Sequence, residues 1–229
     1  MIDKLYYATE DDLVLTTAGV IVVVVIIALL FATAVFLFSA RRKKQESGQT
    51  TIRKTRQLVF SSAAMALAMI TSEFIPTLSL PTGGSITLFS MLFITLIGYW
   101  YGFGPGLMTA LAYGLLQFVL DPKFVSVSQI FLDYILAFGA LGLSGIFSER
   151  KHGLILGYIT GVLGRYFFAW LAGVVIWGIY APADMPVGLY SLIYQGSYLL
   201  PEAILTLILL ALPPVRKGLQ AIRKIAING

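Results

Sequence analysis

Residues 126–147 read SVSQIFLDYILAFGALGLSGIF, and this run decides the fold class. It has the length of ~20 mostly apolar residues that a helix needs to cross the ~30 Å hydrocarbon core of a bilayer. Asp133 interrupts the run, although an ionised aspartate inside a bilayer helix costs at least ~2.5 kcal/mol on insertion scales. A sequence keeps such a residue where a polar group meets it, so Asp133 is the first candidate for a binding residue.

The composition of the whole chain indicates an integral membrane protein. Of its 229 residues, 58% are hydrophobic and 12% are charged, whereas an ordinary soluble domain is about 25% charged. The chain has no cysteine, and His152 is its single histidine. Disulfides and thiolate chemistry are therefore excluded, and we predict no metal site, no cofactor and no enzymatic activity. We interpret the net charge of +5 as a topology signal and predict no nucleic-acid partner.

Seven apolar runs predict an all-α integral membrane protein. The first run, 13–39, and the basic linker after it make residues 1–57 an extra amino-terminal transmembrane helix with a cytoplasmic linker. The other six runs predict a six-helix membrane domain over residues 58–229 that ends in a basic cytoplasmic tail. The sequence YGFGPG, residues 101–106, predicts a tight reversal between two of the spans. The six predicted spans are 58–75, 86–101, 105–120, 126–147, 154–179 and 190–212.

The distribution of Lys and Arg predicts the orientation, because basic residues in short loops stay on the cytoplasmic side. With the amino terminus outside and the carboxyl terminus in the cytoplasm, all but three of the sixteen Lys and Arg residues lie in inner segments. The exceptions are Lys4, Lys123 and Arg165. We therefore expect a multi-pass protein of the cell membrane in this orientation.

Polar groups beside Asp133 predict a binding wall in the outer half of the protein. Gln129 lies one helical turn from Asp133 on the same face, and Tyr134 adjoins it. The last helix opens with YSLIYQG, which brings Tyr190 and Gln195 to the same depth. Carboxylate, amide and phenol groups at one level are typical of a site that hydrogen-bonds a small molecule.

An aromatic stripe and a neutral loop complete the predicted pocket. Trp170, Gly173 and Trp177 share one face of a helix, and we expect the glycine to leave space beside the rings for a flat aromatic ligand. The outer loop 76–87, PTLSLPTGGSIT, carries two prolines, a glycine pair and no charge. Such a loop can fold over a cavity as a lid, with glycines that permit close approach to a ligand.

Two further ionisable residues, Arg165 and Glu202, lie near mid-depth in the predicted membrane. In one interpretation, Arg165 pairs with Asp133 or Glu202 and holds helices together. In another, the three residues form a relay in a proton- or sodium-coupled carrier that works without ATPase subunits.

Four segments, taken in order and spacing, resemble a known family. They are PTGGSIT at 81–87, the run at 126–147, RYFFAWLAGVVIWGIYA at 165–181 and YSLIYQG at 190–196. Over residues 60–210 the chain resembles the thiamine-binding S component of energy-coupling factor (ECF) transporters. The resemblance implies a six-helix S-component bundle that captures a vitamin at its outer face. It also implies partners, namely a transmembrane coupling subunit and two ATPase subunits.

The resemblance implies roles for particular residues. The family's ligand acid falls on Asp133, followed by Tyr134, while its histidine falls on Ala169. Other ligand-binding positions of the family, namely a tryptophan, a tyrosine, an asparagine and the lid's glycine and serine, fall on Trp177, Tyr190, Gln195, Gly84 and Ser85.

Small residues on the first helix of the domain are the family's usual docking surface for the coupling subunit. Two pairs spaced four residues apart meet this requirement here. One pair is Ser62 with Ala66, and the other is Ala64 with Ala68.

Two ligand classes remain open. With thiamine, Asp133 would hydrogen-bond the aminopyrimidine or offset the thiazolium charge, while Trp177 and Tyr190 contact the rings. With a neutral heterocycle, such as a pyrimidine precursor or a pyridoxine-like vitamer, Asp133 and Gln195 would match donors and acceptors without a charge pair. The alternative to the ECF hypothesis is an ion-coupled secondary carrier of such a ligand.

Overall fold

The computed structural model describes residues 6–8, 13–15, 51–74, 78–79, 85–120 and 127–228. Two short antiparallel hairpins pair β1 (Tyr6–Ala8) with β2 (Leu13–Leu15), and β3 (Leu78–Ser79) with β4 (Ser85–Ile86). The predicted first span, 13–39, is wrong at its start, because Leu13–Leu15 form β2. Its remaining residues lie outside the described ranges.

The rest of the described chain is mainly helical, which confirms the all-α prediction. Helix α1 runs through Thr51–Met69 and closes in a π turn, Ile70–Phe74, so residues 51–57 of the predicted linker are already helical. Helices α1 to α6 confirm the predicted six-helix bundle. The later helices are α2 (Ser90–Tyr101), α3 (Phe103–Leu120), α4 (127–147), α5 (Gly153–Val175), α6 (Val187–Ala211) and α7 (Pro213–Asn228).

Helix length confirms a multi-pass membrane protein. Four described segments are long and apolar enough to cross a bilayer, namely Phe103–Leu120, Ile130–Phe147, Gly153–Val175 and Val187–Ala211. Helix α2 has 12 residues, so at 1.5 Å per residue it covers roughly 18 Å and does not cross alone. It is instead the central helix of the bundle, since all of its residues except Phe93 are buried.

Glycines bring the helices at one end of the bundle into backbone contact. Gly102 alone separates α2 from α3, and its φ of 88° lies in the region that favours glycine, which confirms the predicted reversal. A Cβ added at Gly142 of α4 would lie 2.5 Å from the Leu107 Cα of α3. One added at Gly157 of α5 would lie 2.7 Å from the Ser144 carbonyl oxygen of α4. Helix α4 therefore packs between α3 and α5 without intervening side chains.

Helix α4 changes its hydrogen-bonding pattern along its length. It begins as an α turn at Val127–Gln129, continues as a π-helix over Ile130–Leu136, and returns to α geometry at Ala137–Gly139. It ends as a 3₁₀-helix over Ala140–Phe147. π-Helical turns are rare in proteins, and those that occur are often found at functional sites. Asp133 lies within this one.

Helix α7 is an element that the sequence analysis missed. The residues beyond 212 were predicted to be a basic tail, but Pro213–Asn228 form a helix that packs against α1 and α2. Leu219, Ile222 and Ala226 recur at helical spacing, and this signal was overlooked because the segment was interpreted by its charge.

Candidate ligand-binding site

Asp133 lies at the centre of a polar group formed by α4 and the end of α5. The Trp177 Nε1–H donates a hydrogen bond to Asp133 Oδ2 at 3.1 Å. The side chain of Gln129, one turn earlier on α4, hydrogen-bonds the same carboxyl group. Trp177 opens a 3₁₀ turn, Trp177–Tyr180, which follows α5. The structure thus brings together three of the predicted ligand-binding residues.

Three tyrosines of α6 form a ladder along one face of that helix. The rings of Tyr190 and Tyr194 are stacked with centroids 6.0 Å apart, and Tyr198 meets Tyr194 edge-on at 5.8 Å. The Tyr198 hydroxyl donates a hydrogen bond to Gln195 Oε1. Gln195 packs against Gly173 of α5, one turn before Trp177, so the ladder and the acid belong to one region of the bundle.

Gly173 does not leave space beside the aromatic rings, so that expectation is wrong. A Cβ at Gly173 would overlap the Ser191 hydroxyl and would lie 3.4 Å from Gln195 Nε2. Gly173 therefore lets α6 approach α5 closely, and this approach positions Gln195.

We predict that Gly173→Ala lowers the free energy of unfolding by about 1–3 kcal/mol, because the added methyl overpacks the contact between α5 and α6. Thermal unfolding in detergent measures the loss. The matched control is Gly188→Ala at the start of α6, where a Cβ meets nothing within 4 Å. Equal stabilities of the two variants would contradict the role given to Gly173.

Trp170 ties α5 to the first turn of α6 and makes no hydrogen bond to Asp133. Its indole N–H donates to the Gly188 carbonyl oxygen at 3.0 Å. The Ser191 hydroxyl donates to the carbonyl oxygen of Trp170 at 2.8 Å. These bonds give Trp170 a structural role, while its predicted ligand contact remains a prediction.

The structure gives different surroundings to the three remaining predicted positions, Tyr134, Ser85 and Gly84. Tyr134 is buried and packs edge-on against Phe118 of α3 at 5.1 Å, so it contacts the core beside α3. Ser85 lies in β4, opposite Ser79 of β3, and β4 packs against α6. Gly84 is outside the described residues, so its predicted role remains a prediction.

Glu202 anchors the segment after the β3–β4 hairpin, a contact that the sequence analysis did not predict. Its carboxylate accepts hydrogen bonds from Thr87 Oγ1 at 2.5 Å, from Ser90 Oγ at 3.0 Å and from the Met91 backbone N–H at 3.0 Å. The side chain caps the amino terminus of α2, where a negative charge is favoured by the helix dipole. Thr87 and Ser90 are residue types typical of helix starts, but nothing local in the sequence identified their partner.

Arg165 forms neither of the ion pairs considered from sequence within the described chain. Its guanidinium lies over the Phe138 ring, with Cζ 4.2 Å from the ring centroid. Its buried Nη1 has no hydrogen-bond partner among the described residues. The described residues likewise contain no cluster of His, Cys, Asp and Glu that suits a metal ion.

Fold and polar groups together define an all-helical, multi-pass membrane protein in which an acid, an indole, an amide and a tyrosine ladder converge from α4, α5 and α6. The family described as "Thiamine transporter protein (Thia_YuaJ)" matches residues 58–221. The chain belongs to this family, and its resemblance to thiamine-type S components is confirmed.

Similar proteins agree with this assignment. The chain is 35% identical over 175 residues to the thiamine transporter ThiT of Bacillus subtilis, covering 70% of this chain and 89% of that protein. It is 31% identical over 124 residues to ThiT of Lacticaseibacillus paracasei, covering 47% and 62% of the two chains. The solved structure of ThiT from Listeria monocytogenes matches with a TM-score of 0.54 at 28% identity, covering 71% of this chain and 95% of that one.

Proposed function

We propose that this protein is the substrate-capture subunit of an ECF-type importer and binds thiamine at its outer face for ATP-driven uptake. The observation that carries the proposal is the Asp133 carboxylate, held by Trp177 and Gln129 beside the tyrosine ladder. Thiamine combines a cationic thiazolium with an aminopyrimidine. A carboxylate in a medium of low dielectric attracts the cation, and aromatic faces stack on both rings.

The hydrogen bonds that Asp133 accepts within the protein leave other acceptor positions of its carboxylate for a ligand. Trp177 occupies one carboxylate oxygen, and an ionised carboxylate has about four acceptor positions. Asp133 is also partly exposed, whereas Gln129 beside it is buried. We therefore propose that Trp177 and Gln129 orient the carboxylate, and that the ligand takes the acceptor positions that remain.

Isothermal titration of the purified chain tests the ligand. Thiamine should bind more tightly than its neutral pyrimidine precursor or pyridoxine, because the neutral compounds lack a charge partner for Asp133. Equal or tighter binding of a neutral compound would overturn thiamine as the ligand while leaving a heterocycle site in place.

The ion-coupled carrier is the alternative, and the contacts of the three ionisable residues do not favour it. Glu202 bonds Thr87, Ser90 and Met91, while Arg165 lies on Phe138, so no hydrogen-bonded relay links these residues to Asp133 in the described chain. Thiamine uptake by the protein reconstituted in liposomes distinguishes the two mechanisms. Accumulation of thiamine by the chain alone under an ion gradient supports a carrier. Accumulation that requires the coupling subunit, both ATPases and ATP supports the ECF proposal.

The coupling subunit would dock on the exposed small residues of α1. Ser62 and Ala66 are exposed, whereas Ala64 and Ala68 are buried within the bundle. We therefore favour the Ser62–Ala66 pair, where a small side chain permits close helix contact. Burial makes the other pair unsuitable for docking unless the bundle rearranges.

We predict that Ala66→Trp abolishes co-purification with the coupling subunit and leaves thiamine affinity unchanged, because bulk at the exposed face blocks helix contact. Leu163→Trp, at an exposed position of α5, is the control. Normal complex formation by Ala66→Trp would rule out this face.

We also propose that the amino terminus is outside and α7 is cytoplasmic, as the basic residues indicate. Arg223 of α7 donates to the Ser148 carbonyl oxygen at 2.8 Å, so α7 and the basic loop after α4 lie at the same end of the bundle. The cationic groups of these two segments therefore face the same side of the membrane.

Because the chain has no cysteine, single introduced cysteines test the orientation directly. An impermeant maleimide should label Ala183→Cys in intact cells and His152→Cys only after permeabilisation. Both positions are exposed, at opposite ends of α5. The reverse pattern would invert the topology.

A further inference from the structure

Helix α7 lies across one end of the bundle, and the side of the helix that carries Arg223 and Ala226 contacts the bundle. Arg223 donates hydrogen bonds to Tyr99 Oη at 3.1 Å and to the Ser148 carbonyl oxygen at 2.8 Å, and its guanidinium lies over the Tyr99 ring. The Tyr101 hydroxyl donates to the Ala226 carbonyl oxygen at 2.9 Å, and Ala226 is fully buried. These contacts hold the far half of α7 against the ends of α2 and α4.

The surface that α7 leaves uncovered is divided into two strips. An apolar strip contains Ile222, which is 41% exposed, and Ile225, which is 59% exposed, together with Gly218 and Ala221. The spacing of 218, 221, 222 and 225 places these residues on one side of a helix. A polar strip on another side carries the exposed residues Lys217, Gln220 and Lys224.

Covalent geometry sets the depth of α7. Leu212 alone separates it from α6, which is one of the segments long enough to cross the bilayer, so α7 begins where that span leaves the hydrocarbon. Arg223 and Tyr101 then prevent its far end from swinging into solvent. A helix held at this level, with apolar and basic strips side by side, matches the physical description of an interfacial helix.

We propose that α7 lies in the headgroup region of the membrane, with Ile222 and Ile225 against the acyl chains and with Lys217 and Lys224 on anionic lipid headgroups. The occupant of this surface is the lipid leaflet, because charge and apolar area are both complementary to it. This proposal concerns a surface remote from Asp133, and it holds whichever ligand the protein binds.

The apolar part is tested with the full chain in nanodiscs that contain anionic phosphatidylglycerol. An environment-sensitive fluorophore is attached to Ile225→Cys or, as the matched control on the polar strip, to Gln220→Cys. Nitroxide-labelled lipids should quench the probe at 225 several-fold more than the probe at 220, and aqueous iodide should do the reverse. Equal iodide quenching at the two positions, or shielding of position 225 from both quenchers, would overturn the proposal. The former result would leave the strip free for a protein partner.

The electrostatic part is tested by hydrogen exchange of residues 213–228 in discs with and without phosphatidylglycerol. Each Lys near an anionic surface contributes roughly 1 kcal/mol. Because two lysines contact the headgroups, we expect exchange to slow by about 30-fold in the anionic discs. Lys217→Glu combined with Lys224→Glu should remove this difference, whereas the corresponding Arg variants should keep it. If residues 213–228 of the wild-type chain exchange at the same rate in discs with and without phosphatidylglycerol, the proposed headgroup contact is refuted.

Discussion

Asp133→Asn should weaken thiamine binding about 30-fold, because it removes a charged hydrogen bond worth about 2 kcal/mol, and each 1.4 kcal/mol changes an affinity tenfold. Asparagine has the shape of aspartate and keeps an oxygen that can accept from Trp177. We therefore expect the variant to fold normally. Isothermal titration measures the affinity, and thermal unfolding without ligand confirms the fold.

A neutral ligand provides the internal comparison for this prediction. Binding of the pyrimidine precursor should change about threefold or less in Asp133→Asn, because that compound has no charge to lose a partner. Asp184→Asn, at an exposed position before α6, is the matched control and should leave thiamine affinity unchanged. If Asp133→Asn bound thiamine as wild type does, Asp133 would not be the ligand acid.

Glu202→Ala should lower the free energy of unfolding by about 3 kcal/mol, because it leaves the Thr87 and Ser90 hydroxyls and the Met91 N–H without their acceptor. Glu202 is 2% exposed, so water does not readily replace the carboxylate. A loss of this size lowers the melting temperature by roughly 6–12 °C in a chain of this length. Differential scanning fluorimetry in detergent measures the shift.

Glu202→Gln should lie between Glu202→Ala and wild type, because it keeps one acceptor oxygen but faces the three donors with an amide that also donates. Glu73→Ala removes an exposed carboxylate at the end of α1 and should leave the melting temperature unchanged. Loss of thiamine affinity in Glu202→Gln without loss of stability would show that the anchor positions the β3–β4 hairpin for ligand binding. Glu202→Ala as stable as Glu73→Ala would contradict the anchor altogether.

The fold was predictable because the length of an apolar run indicates a membrane-spanning helix. The run at 126–147 identified α4, and glycines and a proline located the reversal at Gly102. The apolar run at 86–101 also identified the short α2, although its predicted start was wrong, because Ser85–Ile86 form β4 and the helix begins at Ser90. Helix α7 was missed because residues 213–228 were interpreted by their positive charge, and the helical spacing of their apolar residues was overlooked.

The site was predictable where its geometry is local. Gln129 and Asp133 are one turn apart on the same helix, so their proximity followed from the helical repeat. The anchor of Glu202 was not predictable, because its hydroxyl partner Thr87 lies 115 residues away. The role of Gly173 was misjudged for a related reason, since only the packed structure reveals that Ser191 fills the space beside it.

The glycine contacts of α4 restrict the path that a ligand could take through the bundle. At the end of the bundle that carries α7, a Cβ at Gly142 or Gly157 would clash with the backbone of a neighbouring helix. A tunnel through that end would have to separate main chains that touch directly, rather than swing side chains aside. Within the described bundle, a ligand could therefore pass this end only if the helices separate or the protein moves as a whole.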